Sequence, residues 1–499
     1  MHRLTLACPM TRPSCRLVSR RDAWSVEVMT VRSLLEQTAG LAVAHLEGLA
    51  DRPVGWSASV EELRASLSGP VPEMPTDPWE VINHLAAAVE PGLVGSPGGR
   101  YFGFVIGGGM PAAVAADWLT SAWDQNAGLF VCGPAAAIVE EVAGAWTAEL
   151  LGLPGGASFG FVTGCQMAHV TALAAARHSV FADVGWDVNE RGLIGAPPLR
   201  IFVGAERHVT VDRALRLLGF GTASIVAIPA DGQGRMRPDA LRGALGGGDG
   251  PSIICAQAGN VNTGSCDPMV EIADIAHETG AWLHVDGAFG LWAAASPALR
   301  PLVAGIERAD SWATDAHKWL NVPYDSGIVL CAHPEAHRAA MSVHAGYLVH
   351  ADADGPRDQL DWNPEFSRRA RGFSVYAAIH SLGRSGIADL VERCCAHARR
   401  FGEALGSDPS IEVLNDVVLN QVLIRFLDTT GGDHDAYTRS VIQAVQNDGT
   451  CWLSGTTWHR MAAMRISVSN WATTVDDVER SIEAIMRAAA EDNGLLVRR

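Results

Sequence analysis

The sequence has no Cys-x-x-Cys pair, no uninterrupted apolar run of transmembrane length and no excess of basic residues. Each absence removes a class of protein. Its 10 cysteines are scattered singly, apart from Cys394–Cys395, which argues against a thiolate zinc site and a disulfide scaffold and fits a reducing cytoplasm. Without a run of roughly 18 apolar residues no membrane-spanning helix is expected. Lys and Arg number 38 against 55 Asp and Glu, a net charge of −17, so there is no basic face for nucleic acid or an anionic membrane. One small basic pocket stays possible. No G-x-G-x-x-G links a strand to a helix, which disfavours a dinucleotide-binding protein. Residues 1–28 hold Arg3, Arg12, Arg16, Arg20 and Arg21 but no continuous apolar core, so a secretory signal is not expected there; they read as a disordered tail.

What is present is ordinary globular material. A chain of 499 residues that is 48% hydrophobic and 19% charged has enough apolar content for large cores and suggests two or three domains. Helical spacing runs from Val31 to Leu49, at Ser59–Leu67 and over Asp77–Val89, the last opened by an Asp-Pro cap signal. The Gly-rich stretch 92–109 reads as a loop with a short strand at Tyr101–Ile106, followed by long helices to Leu151. Seven apolar runs then alternate with helical stretches: Phe159–Thr163, Leu199–Gly204, Ser224–Ile228, Ser252–Gln257, Ala281–Asp286, Ser311–Thr314 and Ser326–Cys331. Continuous runs of this length, each followed by a helix, predict a buried and mostly parallel sheet. Beyond Phe373 the pattern is helix, strand (Gln421–Phe426), helix, strand (Met464–Val468), helix. The expected organisation is a tail (1–28), a helical arm (29–100), a large α/β domain (101–372) and a small α+β domain (373–499).

Four elements carry chemistry. Lys318 follows His317 in Asp315-Ala-His-Lys-Trp-Leu-Asn, with Trp312, Trp319 and Leu320 around it. Burial disfavours a charged amine, and a neutral lysine amine can form a Schiff base with an aldehyde. Asp286 closes an apolar strand before the small turn Gly287-Ala288; a carboxylate at a strand's carboxyl end can pair with a pyridinium nitrogen or simply cap the next helix. Phe159-Gly-Phe-Val-Thr-Gly164-Cys165-Gln166 is strand, glycine turn and helix start, a seat for an anion or phosphate. His208, in Ala205-Glu-Arg-His-Val-Thr just past another strand, can stack on an aromatic ring. In chain order these are phosphate seat, stacking histidine, ring-nitrogen carboxylate and aldehyde-binding lysine, a set that describes pyridoxal 5′-phosphate.

With these residues the chain resembles the group II pyridoxal-dependent amino-acid decarboxylases, the aromatic-L-amino-acid and glutamate decarboxylase-like family, over about residues 80–480. The resemblance implies the aspartate-aminotransferase-like fold (fold type I), a seven-stranded sheet in the large domain, a cytoplasmic homodimer with shared active sites, and no metal. It implies that Lys318 forms the Schiff base, Asp286 contacts the ring nitrogen, Ala288 packs beneath the ring and His208 stacks above it. Gly164, Cys165, Gln166, Asp315 and His317 fall where the family meets the phosphate; several relatives carry a small hydroxyl residue where Gln166 stands. Tyr347, in Val343-His-Ala-Gly-Tyr-Leu, matches the tyrosine of the family's mobile loop, which returns a proton to the substrate carbon. A phenylalanine there accompanies oxidative aldehyde formation, so the tyrosine points to simple decarboxylation.

The resemblance places Phe104, with Tyr101 nearby, in the substrate pocket, and Trp118 and Trp123 lie close in sequence. Most of the 15 tryptophans are expected in cores. An arginine found before Trp362 in some aromatic-specific relatives is absent here; Leu360 and Asp361 stand in that stretch. Arg369 or Arg371 faces a carboxylate or the loop, or forms ordinary ion pairs. The reading is decarboxylation of an aromatic or otherwise bulky L-amino acid to an amine and CO2. The rivals are transamination, aldehyde synthesis or carbon–carbon lysis on the same cofactor, and a non-catalytic relative.

Overall fold

A computed structural model describes residues 30–248, 250–343 and 355–496. Residues 1–28 and Tyr347 lie outside the described residues. The chain divides into two units, residues 30–48 with 57–93, and residues 49–56 with 94–496.

The first unit is helical. Helix Val31–Glu47 starts where the Thr30 side chain accepts the backbone N–H of Ser33. Helix Val60–Leu67 opens with a reciprocal Ser59–Glu62 capping box, which satisfies two otherwise orphaned donors. Helix Pro78–Val89 has Asp77 as its cap and Pro78 in its first turn, as the Asp-Pro signal indicated. None of the three helices has a buried residue. Val31, Leu35, Val43, Leu46, Val81 and Leu85 are all exposed.

The second unit carries both sheets. Its larger sheet comprises β1 (Ser158–Val162), β2 (Arg200–Gly204), β3 (Ile225–Ile228), β4 (Ser252–Gln257), β5 (Trp282–Asp286), β6 (Ser311–Asp315) and β7 (Gly327–Cys331), in the order β1-β7-β6-β5-β4-β2-β3. The seven strands coincide with the seven apolar runs. Every residue of β1, β4, β5, β6 and β7 is buried, which is why those strands read as continuous apolar runs rather than alternations. Only β7 runs against its neighbours, β1 and β6. The other six strands therefore share a direction, and their carboxyl ends lie along one edge, where an open α/β sheet places its ligands. This is the fold-type-I architecture.

The smaller sheet is antiparallel: β8 (Ile411–Val413), β9 (Gln421–Phe426), β10 (Ser454–Trp458) and β11 (Met461–Ser467), ordered β10-β11-β9-β8. Strands β8 and β10 carry no run long enough to be seen in the sequence. The β10–β11 hairpin turns on His459 (φ 47°) and Arg460 (φ 69°), positions that usually carry Asn or Gly, so the usual turn signal is missing.

The expected strand at Tyr101–Ile106 does not form. Phe104 (φ 55°) and Val105 (φ 59°) are left-handed, and only Tyr101 bridges, to Trp452. The backbone is instead shaped to lie on the site. Gly107 donates its N–H to the His317 carbonyl at 3.2 Å, and a Cβ on Gly107 would collide with the Lys318 carbonyl. Asn321 fastens this loop: its Oδ1 accepts the N–H groups of Gly108 (2.7 Å) and Trp471 (2.9 Å), and its Nδ2 donates to the carbonyls of Trp319 and Ser469. Three chain segments are thereby tied behind Lys318.

Candidate active site

Five strand ends deliver the site. After β1, Gly164 precedes the 18-residue helix Cys165–Ala182, whose positive end faces a cavity of about 240 Å³. After β2 comes His208, after β4 Gly259 and Val261, at the end of β5 Asp286 and Ala288, and after β6 Asp315, His317 and Lys318. All of these line that one cavity, together with Cys165, Gln166, Phe104, Val105 and Phe289. A Cβ on Gly327 of β7 would strike the backbone of Gly164, so the helix start sits close against the sheet.

Lys318 Nζ lies 2.9 Å from Asp315 Oδ2. The expectation that burial leaves the amine neutral is corrected. Burial does push its pKa down, but Asp315 above all, with Cys165 and Asp286, outweighs that and holds it above the usual lysine value. The other oxygen of Asp315 accepts the Cys165 N–H at 2.6 Å. Both oxygens are thus engaged within the protein. An ionised carboxylate has no donor to offer a phosphate, so Asp315 is better described as the partner of Lys318 and the helix end than as a phosphate contact.

His317 is a clearer donor. The Ser326 N–H points at its Nδ1 (3.1 Å), so the neutral ring carries its proton on Nε2, 3.4 Å from Asp315 Oδ1. Burial lowers its pKa, against an opposing pull from Asp315. His208 caps helix Val209–Leu217, its Nδ1 accepting from the Thr210 N–H (3.4 Å) and lying 2.8 Å from the Thr210 hydroxyl. Burial lowers its pKa too, Asp286 partly offsetting this. Gln166 donates to the Thr210 carbonyl at 3.2 Å, while its buried Oε1 has no partner.

Asp286 is buried. Burial works to raise its pKa, but His169, then His208 and Lys318, pull it well below the ordinary carboxylate range. Its Oδ1 accepts the Ala288 N–H at 3.1 Å, and its Oδ2 has His169 Nε2 at 3.6 Å. A long contact on a buried carboxylate that lines a cavity leaves an acceptor for a further donor.

The remaining sequence candidates divide. Phe104 lines the cavity and is 56% exposed, its ring 5.6 Å from that of Trp452. Tyr101, expected beside it, is 5% exposed and stacks parallel to the same Trp452 ring at 5.1 Å; it does not line the cavity. Trp118 and Trp123 are exposed on helix Pro111–Trp123, and Trp123 meets Phe373 edge-on. The arginines after the loop form ion pairs: Arg368 with buried Glu140, Arg369 with Asp117 and Arg371 with Asp325.

Three site features were missed. Tyr324 stacks on His317 at 4.2 Å. His169 and His284 lie behind Asp286. Arg465 on β11 is buried, its charge is felt by His208, and its recorded hydrogen bond is to Asn262 Oδ1 at 3.4 Å. Tyr324 follows His317 by seven residues, but His169 and His284 meet across 115 positions and Arg465 acts on His208 across 257, separations that no spacing rule covers.

A lysine amine, a buried carboxylate with a free acceptor, a neutral histidine and a helix start converge on one cavity, which is the donor set of a lysine-based pyridoxal phosphate enzyme. The chain matches the model of the pyridoxal-dependent decarboxylase conserved domain over residues 61–427 and belongs to that family. It is 27% identical over 470 residues to an aromatic-L-amino-acid decarboxylase of Bacillus atrophaeus, covering 92% of this chain and 96% of that protein. It is 30% identical over 389 residues to an L-2,4-diaminobutyrate decarboxylase of Rhizobium meliloti (strain 1021), covering 76% and 75%. The crystal structure of Oryza sativa TDC with PLP and tryptamine superposes with a TM-score of 0.87 at 23% identity, covering 94% of this chain and 99% of that one, which establishes the common fold. The chain is a pyridoxal-phosphate-dependent carboxy-lyase of amino acids. Among the described residues, no helix is long and apolar enough to cross a membrane.

Proposed function

We propose that the enzyme decarboxylates an L-amino acid with an aromatic or other bulky side chain, releasing the amine and CO2. The observation that carries this is the apolar part of the cavity lining, Phe104, Val105, Val261 and Phe289, in the same cavity as Lys318. When bound, pyridoxal phosphate supplies an aldehyde that captures amines and a ring that accepts the electron pair left by departing CO2. Lys318 would hold the aldehyde, Asp286 the ring nitrogen, Ala288 and His208 the two ring faces, and Gly164, Cys165 and Gln166 with His317 the phosphate.

The residues' own tasks follow from the geometry. Lys318 starts protonated and must lose a proton before its amine can react; Asp315 Oδ2, at 2.9 Å, is placed to hold it. The start of helix Cys165–Ala182 presents its positive end at one end of the cavity. Arg465 is buried, donates to Asn262 Oδ1 at 3.4 Å and acts on His208 through its charge. Tyr347, on the sequence resemblance, returns the proton to the substrate carbon.

Curated relatives bear names for aromatic, diaminobutyrate and acidic amino acids, so the side-chain class needs its own test. Across a panel of L-amino acids, aromatic substrates are expected to give the highest kcat/KM. Phe104→Ala is expected to lower that value about 10- to 100-fold for them and to change it little for small substrates. Preference for an acidic or basic side chain, or no effect of Phe104→Ala, would refute the assignment.

A cytoplasmic homodimer also belongs to this proposal, as do the arm (29–100), large (101–372) and small (373–499) domains. The exposed apolar residues Val31, Leu35, Val43 and Leu46 on one helix support it, because an equivalent copy can cover them. Sedimentation of the purified protein is expected to give twice the chain mass; the single-chain mass would refute the dimer.

A further inference from the structure

Behind Asp286 runs a buried chain of side chains. Trp282 Nε1 lies 2.9 Å from Ser311 Oγ; Ser311 Oγ lies 2.9 Å from His284 Nδ1; His284 Nε2 lies 2.9 Å from His169 Nδ1; His169 Nε2 lies 3.6 Å from Asp286 Oδ2. All five residues are buried. Trp282, His284 and Asp286 come from β5, Ser311 from the start of β6, and His169 from helix Cys165–Ala182.

The direction of the chain follows from its donor inventory. An indole N–H only donates, so Ser311 Oγ accepts from Trp282. With the Ser311 hydroxyl donating to His284 Nδ1, 2.9 Å away, the neutral His284 ring carries its proton on Nε2. That proton points at His169 Nδ1, so His169 carries a proton on Nε2, towards Asp286 Oδ2 and Cys165 Sγ. The opposite tautomer of His169 would aim a lone pair at a buried carboxylate, an arrangement that costs free energy. The Ser311 backbone lies near the His284 ring as well, and burial pushes the His284 pKa down to about 3, consistent with a neutral ring. The groups facing Asp286 and His169 are Lys318, His208 and Cys165, whose Sγ is 3.4 Å from His169 Nε2 and 3.9 Å from Asp286 Oδ1.

We propose that Trp282, Ser311, His284 and His169 form a one-way hydrogen-bond relay that turns the His169 Nε2–H towards Asp286, where it acts across 3.6 Å as a fixed dipole that orients the carboxylate for the cofactor ring. These are positioning residues. The inference rests on the reading of Asp286 as the ring-nitrogen partner.

Nitrogen-15 NMR of histidine-labelled, cofactor-free protein tests the relay without any turnover. Both rings are expected to carry a proton on Nε2, and His284 is expected to stay neutral between about pH 6 and 9, since burial holds its pKa down to about 3. Ser311→Ala removes the acceptor for Trp282 and the donor for His284, and is expected to move the His284 proton to Nδ1. The cofactor dissociation constant is then expected to rise about tenfold, the equivalent of one pKa unit of lost support. His284→Gln, which keeps an N–H for His169, is expected to bind cofactor within about threefold of wild type, and His284→Leu to bind it about tenfold more weakly. A His169 proton on Nδ1, or tautomers indifferent to Ser311→Ala, would overturn the relay. Tautomers that respond while cofactor affinity does not would overturn the positioning role. Asp286→Asn then separates the two readings: if it too leaves affinity and spectrum unchanged, the assignment of Asp286 has failed as well.

Discussion

Lys318→Ala is expected to lose decarboxylase activity by about 10⁴-fold and to lose the visible absorbance of lysine-bound cofactor. The reason is local. Lys318 is the amine lining the cavity, and its neighbours are arranged around it: Asp315 Oδ2 at 2.9 Å, the Asn321 clamp behind it and the Gly107 backbone against its carbonyl. Nothing in this arrangement offers a second amine. Lys318→Arg is expected to fail as badly, because a guanidinium stays protonated and cannot attack an aldehyde. A Lys318→Ala protein that kept the absorbance would show that another residue holds the cofactor. Added small amines are expected to restore part of the rate, since the cavity left by the side chain admits them and Asp315 remains to take the proton.

Asp286→Asn is expected to lower kcat by about 10³-fold, with a smaller change in KM. The substitution keeps shape and removes charge. In the wild-type protein His169, His208 and Lys318 hold the Asp286 pKa far below the carboxylate range despite its burial. The carboxylate therefore remains ionised throughout mild acid, and no loss of rate on its account is expected as the pH falls from about 8 to 5. The amide cannot keep a pyridine-type nitrogen protonated, so the variant should bind cofactor more weakly and show a spectrum whose pH dependence is shifted to lower pH. Steady-state kinetics with a spectral pH titration check both. If Asp286→Asn retained more than about a tenth of the wild-type kcat, the ring-nitrogen role would be refuted.

The two groups differ in how plainly the sequence announced them. Asp286 and Lys318 each follow a continuous apolar run, and such a run at the centre of a sheet reads the same whether or not its neighbours are known. Their strands are buried on both faces, so the pattern and the position agree. The same logic placed Gly164, Cys165, Gln166 and His208. It failed at residues 101–106, where the apolar run lies over Lys318 in left-handed turns, because hydrophobicity alone cannot tell a strand from a loop pressed onto a core. It also gave Lys318 the wrong charge. Burial was legible from Trp312, Trp319 and Leu320, but the direction of the pKa depends on a 2.9 Å contact with Asp315 that outweighs desolvation. His169 and His284 were both in view inside their motifs, yet their pairing joins a helix to a strand 115 residues away, and Arg465 acts on His208 from the second sheet through its charge. Local pattern carries element type and strand-end chemistry; contacts between elements appear only in three dimensions.

The proposed reaction removes CO2 from an amino acid and leaves the amine otherwise unchanged. The direct measurement is a product balance for the purified, cofactor-loaded protein with its best aromatic L-amino acid. Amine and CO2 in equal amounts, with neither keto acid nor hydrogen peroxide, is the expected outcome. Keto acid, or aldehyde with hydrogen peroxide, in place of amine would contradict it.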